Sequence, residues 1–227
     1  MKTRDLDVWD HHWRGLRGER SLFGTLASLV RKLVLGRAVR HYTGRYFPSE
    51  GWFADAGCGT GQASEQIEPA ERRLLGLDFS LEALLDARRA SYRALVQCDI
   101  RHLPFRDGSL AGVWNLGVME HFHPPEGHEI LREVGRALKP GGAALLFWPP
   151  ELGSSRMVLG PIEWVRTRLS GKQFEFFPAE VNRLRSFRHA REMLRGGGLE
   201  PAAVHFSLHD LFIHFVVVGV KPAAGQK

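Results

Sequence analysis

FADAGCGTG, residues 53–61, is the stretch that decides the fold of this 227-residue chain. Its apolar first half suits a buried strand that carries the acid Asp55, and three glycines at alternate positions follow it. Glycine lets the backbone turn tightly and lets a ligand come close, where any Cβ would stand in the way. We expect a helix to begin near Gln62, with its first amide groups facing that ligand. The stretch therefore predicts a strand, a ligand-binding loop and a helix.

A second acid makes this prediction more specific. Asp78 lies 21 residues after Gly57, at the end of the next apolar run. A Rossmann-type unit places a carboxylate on a ribose at about this spacing. The two stretches together therefore favour a binding site for a nucleotide-like ligand.

Short apolar runs and helical patterns alternate through the middle of the chain. The predicted strands are residues 52–56, 74–77, 94–98, 112–116 and 143–148. We expect one helix after Ser80, which suits an N-cap, and another over residues 126–138. This alternation is typical of an α/β fold with a Rossmann-like, doubly wound and mostly parallel sheet, which binds ligands at the carboxyl ends of its strands.

The two ends of the chain depart from this alternation. Leucine and valine recur at helical spacing in residues 21–46, which predicts an N-terminal helix. Residues 202–207 and 211–220 suit strands, and their short connection requires them to run antiparallel. We therefore expect an N-terminal helical cap or lid over residues 1–48 and a Rossmann-like domain over residues 49–227.

The composition indicates a cytoplasmic, folded protein. The charged first 20 residues lack the apolar run of a secretory signal, and no stretch approaches the roughly 20 apolar residues that span a bilayer. Two cysteines, Cys58 and Cys98, are too few for a disulfide framework, so we expect reduced thiols. The net charge of +6 permits an acidic partner such as RNA or a membrane surface. A solvated, arginine-rich surface explains that charge as well, and we prefer this explanation.

Five motifs, in order, resemble those of class I S-adenosylmethionine-dependent methyltransferases, of the small-molecule type grouped with the ubiquinone-biosynthesis methylases. The resemblance covers about residues 50–150 of the chain. Its motifs are residues 55–61, 77–80, 97–109, 118–121 and 138–142. The resemblance implies S-adenosylmethionine as the cofactor and methyl transfer to a small-molecule acceptor by in-line displacement, which gives S-adenosylhomocysteine.

The resemblance also assigns residues to the cofactor. It implies that the carboxylate of Asp78 accepts hydrogen bonds from both ribose hydroxyls and that Asp99 meets the adenine amino group. The residues that it places at the cofactor are Asp55, Gly57, Cys58, Gly59, Gly61, Asp78, Phe79, Asp99, Ile100 and Leu116. Asp55 suits a structural role in the loop as well as a cofactor role, and both interpretations stay open.

Candidates for acid–base chemistry follow the fourth predicted strand. Methyl transfer needs the acceptor and the methyl group held about 3 Å apart, and an oxygen or nitrogen acceptor also needs a base. Glu120 and His121 are the candidates, because they lie at the carboxyl edge of the predicted sheet. Residues 9–13, WDHHW, suit either a lid over the site or an aromatic anchor for the first helix. We expect no metal site, since adjacent histidines project in different directions.

Several alternatives stay open at this point. An RNA methyltransferase fits the net charge, although we expect no nucleic-acid partner, and a non-catalytic cofactor-binding protein fits the same motifs. A nicotinamide oxidoreductase fits less well, because residues 60–62 depart from its Gly-x-Gly-x-x-Gly fingerprint. The basic helix 21–46 permits peripheral membrane contact, but packing on the sheet explains its leucines too and is the interpretation we prefer. Aromatic and arginine residues in a lid insertion at about 151–182 would suit an apolar or aromatic acceptor that carries an acidic group, and packing of the lid helices explains the aromatic residues equally well.

Overall fold

The computed structural model of the protein describes residues 8–14, 29–67, 72–151, 153, 168 and 180–223. Within these residues the strands are β1 Gly51–Ala56, β2 Arg72–Asp78, β3 Ala94–Gln97, β4 Leu110–Leu116, β5 Leu138–Trp148, β6 Glu200–His205 and β7 Phe215–Val220. The helices are α1 at residues 8–14, α2 Gly36–Tyr46, α3 Leu81–Ala87, α4 Pro124–Ala137 and α5 Phe187–Gly196. A π-helical turn, Arg31–Leu35, precedes α2, and the 3-10 turns Met119–His121 and Leu208–Asp210 follow β4 and β6.

The strands form one seven-stranded sheet in the order β3-β2-β1-β4-β5-β7-β6. Strands β1 to β5 pair in parallel, and β7 runs antiparallel to both β5 and β6. The order places β1 and β4 side by side at the centre, so the loops that follow them meet at one edge of the sheet. This topology confirms the predicted Rossmann-like sheet with an antiparallel C-terminal strand.

Apolar side chains pack on both faces of the sheet. On one face, α4 and α5 contribute Leu131 and Leu194 to a core that also contains Trp148 of β5. On the other face, α2 buries Val39 and Tyr42 against strand residues of β1, β4 and β5. The sheet is therefore covered by helices on both sides, which leaves its edges for ligand binding.

The prediction of a helix from Gln62 is wrong for the residues that the structure describes there. Residues 61–67 form successive turns, in which the Ser64 amide donates to the Gly61 carbonyl at 3.1 Å and the Ile67 amide to the Ser64 carbonyl at 3.0 Å. The Ser64 hydroxyl also donates to the Gly61 carbonyl, at 2.8 Å. Serine side chains that bond nearby backbone groups compete with helical hydrogen bonds. Among the described residues, therefore, no helix begins directly after the glycine loop.

Two further predictions need correction. Strand β7 begins at Phe215 rather than at Leu211, because Leu211 and Phe212 have φ angles of 56° and 58°, outside the range of a strand. Packing on the sheet explains α2 but not the helical residues before it, since Leu29 and Leu33 are 51% and 43% exposed. Residues 21–28 of the predicted helix, and nearly all of the predicted insertion, lie outside the described residues.

Candidate functional site

The glycine loop after β1 is a tight turn that only glycine adopts without strain. Gly57, Gly59 and Gly61 have φ angles of 84°, 54° and 74°. The amides of Gly57 and Cys58 both donate to the carbonyl of Leu77 in β2, at 2.8 Å each, which ties the loop to the neighbouring strand. A Cβ on Gly57 would lie 2.5 Å from the Val118 side chain, so the loop after β4 also packs against this turn.

Asp78, at the end of β2, fixes the conformation of the glycine loop. One carboxylate oxygen accepts the amide of Gly59 and the other accepts the amide of Ser80, each at 2.9 Å. The carboxylate is buried, and burial raises its pKa while the hydrogen bonds from Ser80 and Gly59 oppose that shift. A carboxylate has about four acceptor sites, so these two bonds do not use all of its acceptor capacity.

Asp55, at the end of β1, is hydrogen-bonded by Tyr92. The Tyr92 hydroxyl donates to the Asp55 carboxylate at 2.5 Å. Burial raises the pKa of Asp55 well above its usual range, and the hydrogen bond from Tyr92 opposes that shift. The Tyr92 ring also packs beneath Gly61, where a Cβ would lie 2.9 Å from a ring carbon. This geometry favours the structural interpretation of Asp55 and tests no cofactor contact.

Asp99 is engaged by an arginine. Its carboxylate accepts from the Arg101 guanidinium at 2.8–3.1 Å and from the Arg101 amide at 2.9 Å. Burial raises the pKa of Asp99, but the hydrogen bonds from Arg101 outweigh it and hold the pKa below its usual range. Arg101 also bonds Glu126 of α4 at 2.8 Å. An adenine amino group that bonds Asp99, as predicted, would therefore share its carboxylate with Arg101.

The other predicted cofactor residues lie around the same edge. Ile100 is buried in the apolar core after β3, Leu116 ends β4, and Phe79 follows Asp78 directly. Cys58 is buried within the loop, and burial raises the pKa of its thiol well above the usual range. Burial also raises the pKa of Cys98, to about 12. Both thiols are therefore protonated at neutral pH and unsuited to nucleophilic chemistry.

Helix α1 lies across this edge of the sheet. The Trp13 ring covers the glycine loop, so that a Cβ on Gly59 would lie 2.9 Å from it. The Ser80 hydroxyl donates to Asp10 at 2.5 Å. The Trp9 ring stands edge-on to His121 at 4.9 Å between ring centroids. The helix thus contacts the ends of β1, β2 and β4 at once.

Glu120 and His121 lie together at the end of β4, as the sequence predicts. A carboxyl oxygen of Glu120 is 3.9 Å from Nε2 of His121. Burial raises the pKa of Glu120 to about 8, with the charge of Glu180 adding to the shift. The backbone carbonyl of Glu120 accepts the amides of Val181 and Asn182, at 2.7 and 3.0 Å. The C-terminal end of the predicted insertion is therefore hydrogen-bonded directly to this candidate pair.

His12 completes the group of rings at the site. Its ring is 5.6 Å from that of Trp9 and 5.3 Å from that of Trp13. Burial, with the charges of Arg31 and His121, lowers the pKa of His12 to about 4. His12 is therefore neutral at physiological pH, and its imidazole is a weak base.

Sequence reasoning missed two residues at the site. Asp10 stands between the two tryptophans of a segment that the sequence already marks, so its place there was a usable signal. Tyr92 carries no local signal, because its hydroxyl reaches Asp55 only once β3 has paired with β2.

The residues present fit a cofactor with a ribose and an amino-acid end. The glycine loop exposes backbone without Cβ atoms beneath α1, and the buried Asp78 carboxylate keeps acceptor capacity beside it. The rings of Trp9 and Phe79 lie 6.4 Å apart over the same region and offer apolar walls.

Comparison with known proteins agrees with this geometry. Residues 54–146 match the family profile described as a methyltransferase domain. This part of the chain is therefore similar to known methyltransferase domains. A protein of Mycolicibacterium smegmatis, named "probable S-adenosylmethionine-dependent methyltransferase", is 37% identical over 100 residues, which are 42% of this chain and 37% of that protein.

A second similar protein is named as a tRNA methyltransferase. The mouse (Mus musculus) tRNA (carboxymethyluridine(34)-5-O)-methyltransferase ALKBH8 is 35% identical over 106 residues, which are 46% of this chain and 16% of that protein. The chain spans about half, or less, of the length of the curated relatives that it matches. The similarity therefore lies in the domain, and it leaves the acceptor type unresolved.

The fold resembles that of a solved protein over nearly the whole chain. Magnesium protoporphyrin IX methyltransferase (ChlM) of Synechocystis PCC 6803, solved with bound S-adenosylhomocysteine, superposes with a TM-score of 0.68 at 17% identity. The match covers 97% of this chain and 100% of that one. In the part of the chain that the structure describes, no cluster of ligating side chains suits a metal ion, and no helix is long and apolar enough to cross a bilayer.

Proposed function

We propose that this protein transfers the methyl group of S-adenosylmethionine to a small-molecule acceptor, in a site enclosed by α1. The observation that carries the proposal is the position of that helix. Trp13 covers Gly59, Asp10 bonds Ser80, and Trp9 meets His121. A site covered in this way suits an acceptor small enough to be enclosed, which is the small-molecule type that the motifs resemble.

The glycine loop and Asp78 would hold the cofactor. When bound, S-adenosylmethionine supplies an electrophilic methyl group on a positively charged sulfur. The loop offers close backbone approach, and the Asp78 carboxylate, which accepts from the amides of Gly59 and Ser80, would accept from the ribose hydroxyls with its remaining acceptor capacity. Since displacement at the methyl group needs an acceptor held about 3 Å away, most of the acceleration comes from positioning and from excluding water.

His121, rather than Glu120, is the better candidate for the proton acceptor. Burial raises the pKa of Glu120 to about 8, so its carboxyl is largely protonated at neutral pH and cannot take a proton. His121 lies 3.9 Å from that carboxyl and faces Trp9 of the covering helix. We therefore assign His121 the role of base for an oxygen or nitrogen acceptor, and Glu120 the role of a neutral neighbour that positions it.

The acceptor would lie between the end of β4 and the chain around residue 182. Among the described residues, Oε2 of Glu120 and Nδ2 of Asn182 are buried without a hydrogen-bond partner. Buried polar atoms of this kind are costly unless a ligand or water satisfies them. The two atoms lie on segments joined by the hydrogen bonds of the Glu120 carbonyl. The substrate could therefore form hydrogen bonds with the Glu120 carboxyl group and with the Asn182 amide group.

A tRNA acceptor is the second candidate. The similarity to the mouse tRNA methyltransferase and the net charge of +6 favour it. A tRNA acceptor requires α1 to leave the site open to a nucleotide. It predicts that the transferred methyl group is found in tRNA and not in a small molecule.

The two candidates separate in one labelling experiment. Protein is incubated with tritium-labelled S-adenosylmethionine and either a low-molecular-weight filtrate or the total tRNA of the source cell. We expect label to enter a small molecule, to fall at least tenfold in His121→Gln, and to fall less in Glu120→Gln, which imitates the neutral acid. Label in tRNA alone would reject the small-molecule acceptor. Label in neither fraction, with cofactor binding intact, would favour a non-catalytic binding protein.

A further inference from the structure

The turn between β6 and β7 displays apolar side chains to solvent. Phe206, Leu208, Leu211 and Phe212 are 36%, 69%, 47% and 40% exposed. The rings of Phe206 and Phe212 lie 5.1 Å apart, so these side chains form a patch rather than isolated positions. Single exposed apolar residues are ordinary in proteins, but a contiguous patch marks a contact surface. We call residues 206–212 the apolar turn.

The apolar turn is held in shape at a conformational cost. Leu211 and Phe212 both adopt left-handed backbone conformations, with φ angles of 56° and 58°, which are unfavourable for residues other than glycine. The amide of Phe212 donates to the Ser207 carbonyl at 3.0 Å, and the Ser207 hydroxyl bonds that of Tyr42 in α2 at 2.9 Å. The amide of His214 donates to the buried Asp210 carboxylate at 2.8 Å. Strained backbone fixed by hydrogen bonds is a mark of a functional segment.

A basic helix face adjoins the apolar turn. The rings of His41 in α2 and His209 in the turn stack at 4.0 Å between centroids. Arg37 and Arg45 lie one helical turn before and after His41, and both are exposed. The sequence of α2, GRAVRHYTGRY, contains three arginines and no acidic residue. The apolar turn therefore borders a surface of positive charge.

Further exposed leucines extend the patch along the same helix. Leu33 lies in the π-helical turn, which packs against the Leu208–Asp210 turn. Leu33 and the preceding Leu29 are both largely exposed. Aliphatic side chains beside arginines, on two elements in contact, give the surface an apolar centre with a basic margin.

The surface also lies at the same edge of the sheet as the candidate site. Phe215 of β7 pairs with Trp148 at the carboxyl end of β5, so the turn before β7 projects from the same edge of the sheet as the glycine loop. A partner bound to the apolar turn would therefore be on the same side of the sheet as the glycine loop.

We propose that this surface docks the protein on an anionic phospholipid bilayer. Leu208, Leu211 and Phe212 enter the boundary between headgroups and acyl chains, and Arg37 and Arg45 contact lipid phosphates. Apolar insertion and basic attraction together are what reversible membrane binding requires. The proposal concerns membrane attachment and is independent of which acceptor the site methylates.

Lipid fits this surface better than the other partners that it permits. RNA recognition stacks bases on aromatic rings, whereas the most exposed side chain here is the aliphatic Leu208. A two-fold dimer uses the same patch on both subunits, so it would bring two arginine-rich α2 faces close together, and their like charges repel. An anionic bilayer complements both the charge and the aliphatic centre.

Vesicle flotation tests the proposal with the full-length protein. The vesicles contain phosphatidylcholine alone or phosphatidylcholine with phosphatidylglycerol. We expect the wild type to bind only the anionic vesicles, and Leu208→Ser/Phe212→Ser to bind them at least tenfold more weakly. Arg37→Gln/Arg45→Gln should also bind them about tenfold more weakly, because basic side chains near an anionic surface are attracted to its lipid phosphates. Leu85→Ser is the matched control, since Leu85 is a 39% exposed leucine on α3, and it should bind like the wild type.

Circular dichroism and S-adenosylhomocysteine titration of each variant show that it is folded before the vesicles are added. A folded wild type that binds neither vesicle would overturn the proposal. So would equal losses in the Leu85 control and the turn variants. Binding of total tRNA that the arginine variant loses, without vesicle binding, would assign the surface to RNA instead. Self-association that only the turn variant abolishes would assign it to a second copy of the chain.

Discussion

The carboxylate of Asp78 accepts the amide of Gly59 at 2.9 Å, across 19 residues of chain. Its other oxygen accepts the amide of Ser80, at the N-cap of α3. One buried side chain thus sets both the glycine loop and the start of the following helix. Because the same carboxylate is the predicted partner of the ribose, loop conformation and cofactor binding depend on it together.

Replacing Asp78 by alanine should weaken the affinity for S-adenosylhomocysteine by about 1.5–3 kcal/mol, the scale of charge-assisted hydrogen bonds. It should also lower the free energy of unfolding, because two buried amides lose their acceptor. Calorimetric titration and urea unfolding measure the two effects. Asp107→Ala is the control, since the Asp107 side chain is 79% exposed in its ion pair with Arg136. Unchanged affinity in Asp78→Ala would refute the ribose assignment.

Replacing Tyr92 by phenylalanine should lower the free energy of unfolding by about 1–3 kcal/mol, because the buried Asp55 carboxyl loses its donor. Urea unfolding at constant pH measures the change. Tyr46→Phe is the comparison, since the Tyr46 hydroxyl bonds His205 at 2.6 Å in a partly buried position. Tyr46→Phe should cost less, and a larger loss there than at Tyr92 would mean that Asp55 does not depend on this hydrogen bond.

Replacing Trp13 by alanine should speed the release of bound S-adenosylhomocysteine about tenfold, the effect of about 1.4 kcal/mol. The indole covers Gly59 and so would close the loop over a ligand. Stopped-flow displacement measures the off-rate. Trp52→Ala is the control, because Trp52 is 36% exposed at the start of β1, at the opposite end of the strand. An unchanged off-rate in Trp13→Ala would show that α1 does not cover the bound cofactor.

Glu120 should make the stability of the protein depend on pH. Its pKa is about 8 in the folded protein against 4.5 as the reference, so the native state holds a proton that the unfolded state has lost between these values. The contribution is fully present below pH 4.5 and is lost as the pH rises through about 8. Each pKa unit of difference between the folded and unfolded states corresponds to about 1.4 kcal/mol in the free energy of unfolding.

Glu120→Gln removes this proton exchange while keeping a neutral side chain of similar shape. We therefore expect the wild type to lose on the order of a few kcal/mol relative to Glu120→Gln as the pH rises from slightly acidic to slightly alkaline. Urea unfolding of both proteins across this range measures the difference, in which the contributions of other groups cancel. Parallel pH profiles for the two proteins would show that Glu120 is ionised in the native state.

The sheet was predictable because its signals are local. Each parallel strand is a short apolar run that ends at a polar or glycine residue, and the positions of Asp55 and Asp78 at strand ends follow from that pattern. The antiparallel edge followed from a short connection that no crossover can fit. The turns after Gly61 were not predictable, since the hydrogen bond of the Ser64 hydroxyl competes with a helix in a way that periodicity does not reveal.

The site was predictable in its members but not in their pairing. The spacing that marks Asp99 says nothing of Arg101, which occupies its carboxylate two residues later. The partnership of Tyr92 with Asp55 depends on strand order. The raised pKa of Glu120 depends on burial against residues 180–183, which lie about 60 residues away in the sequence.

Calorimetric titration of the purified protein with S-adenosylmethionine and S-adenosylhomocysteine, with NADH and NADPH as controls, tests the central claim most directly. The glycine loop, Asp78 and the covering helix predict micromolar binding of the two sulfur compounds and none of the nicotinamides. A folded protein that binds neither sulfur compound, or that binds a nicotinamide instead, would contradict the assignment of this site to methyl transfer.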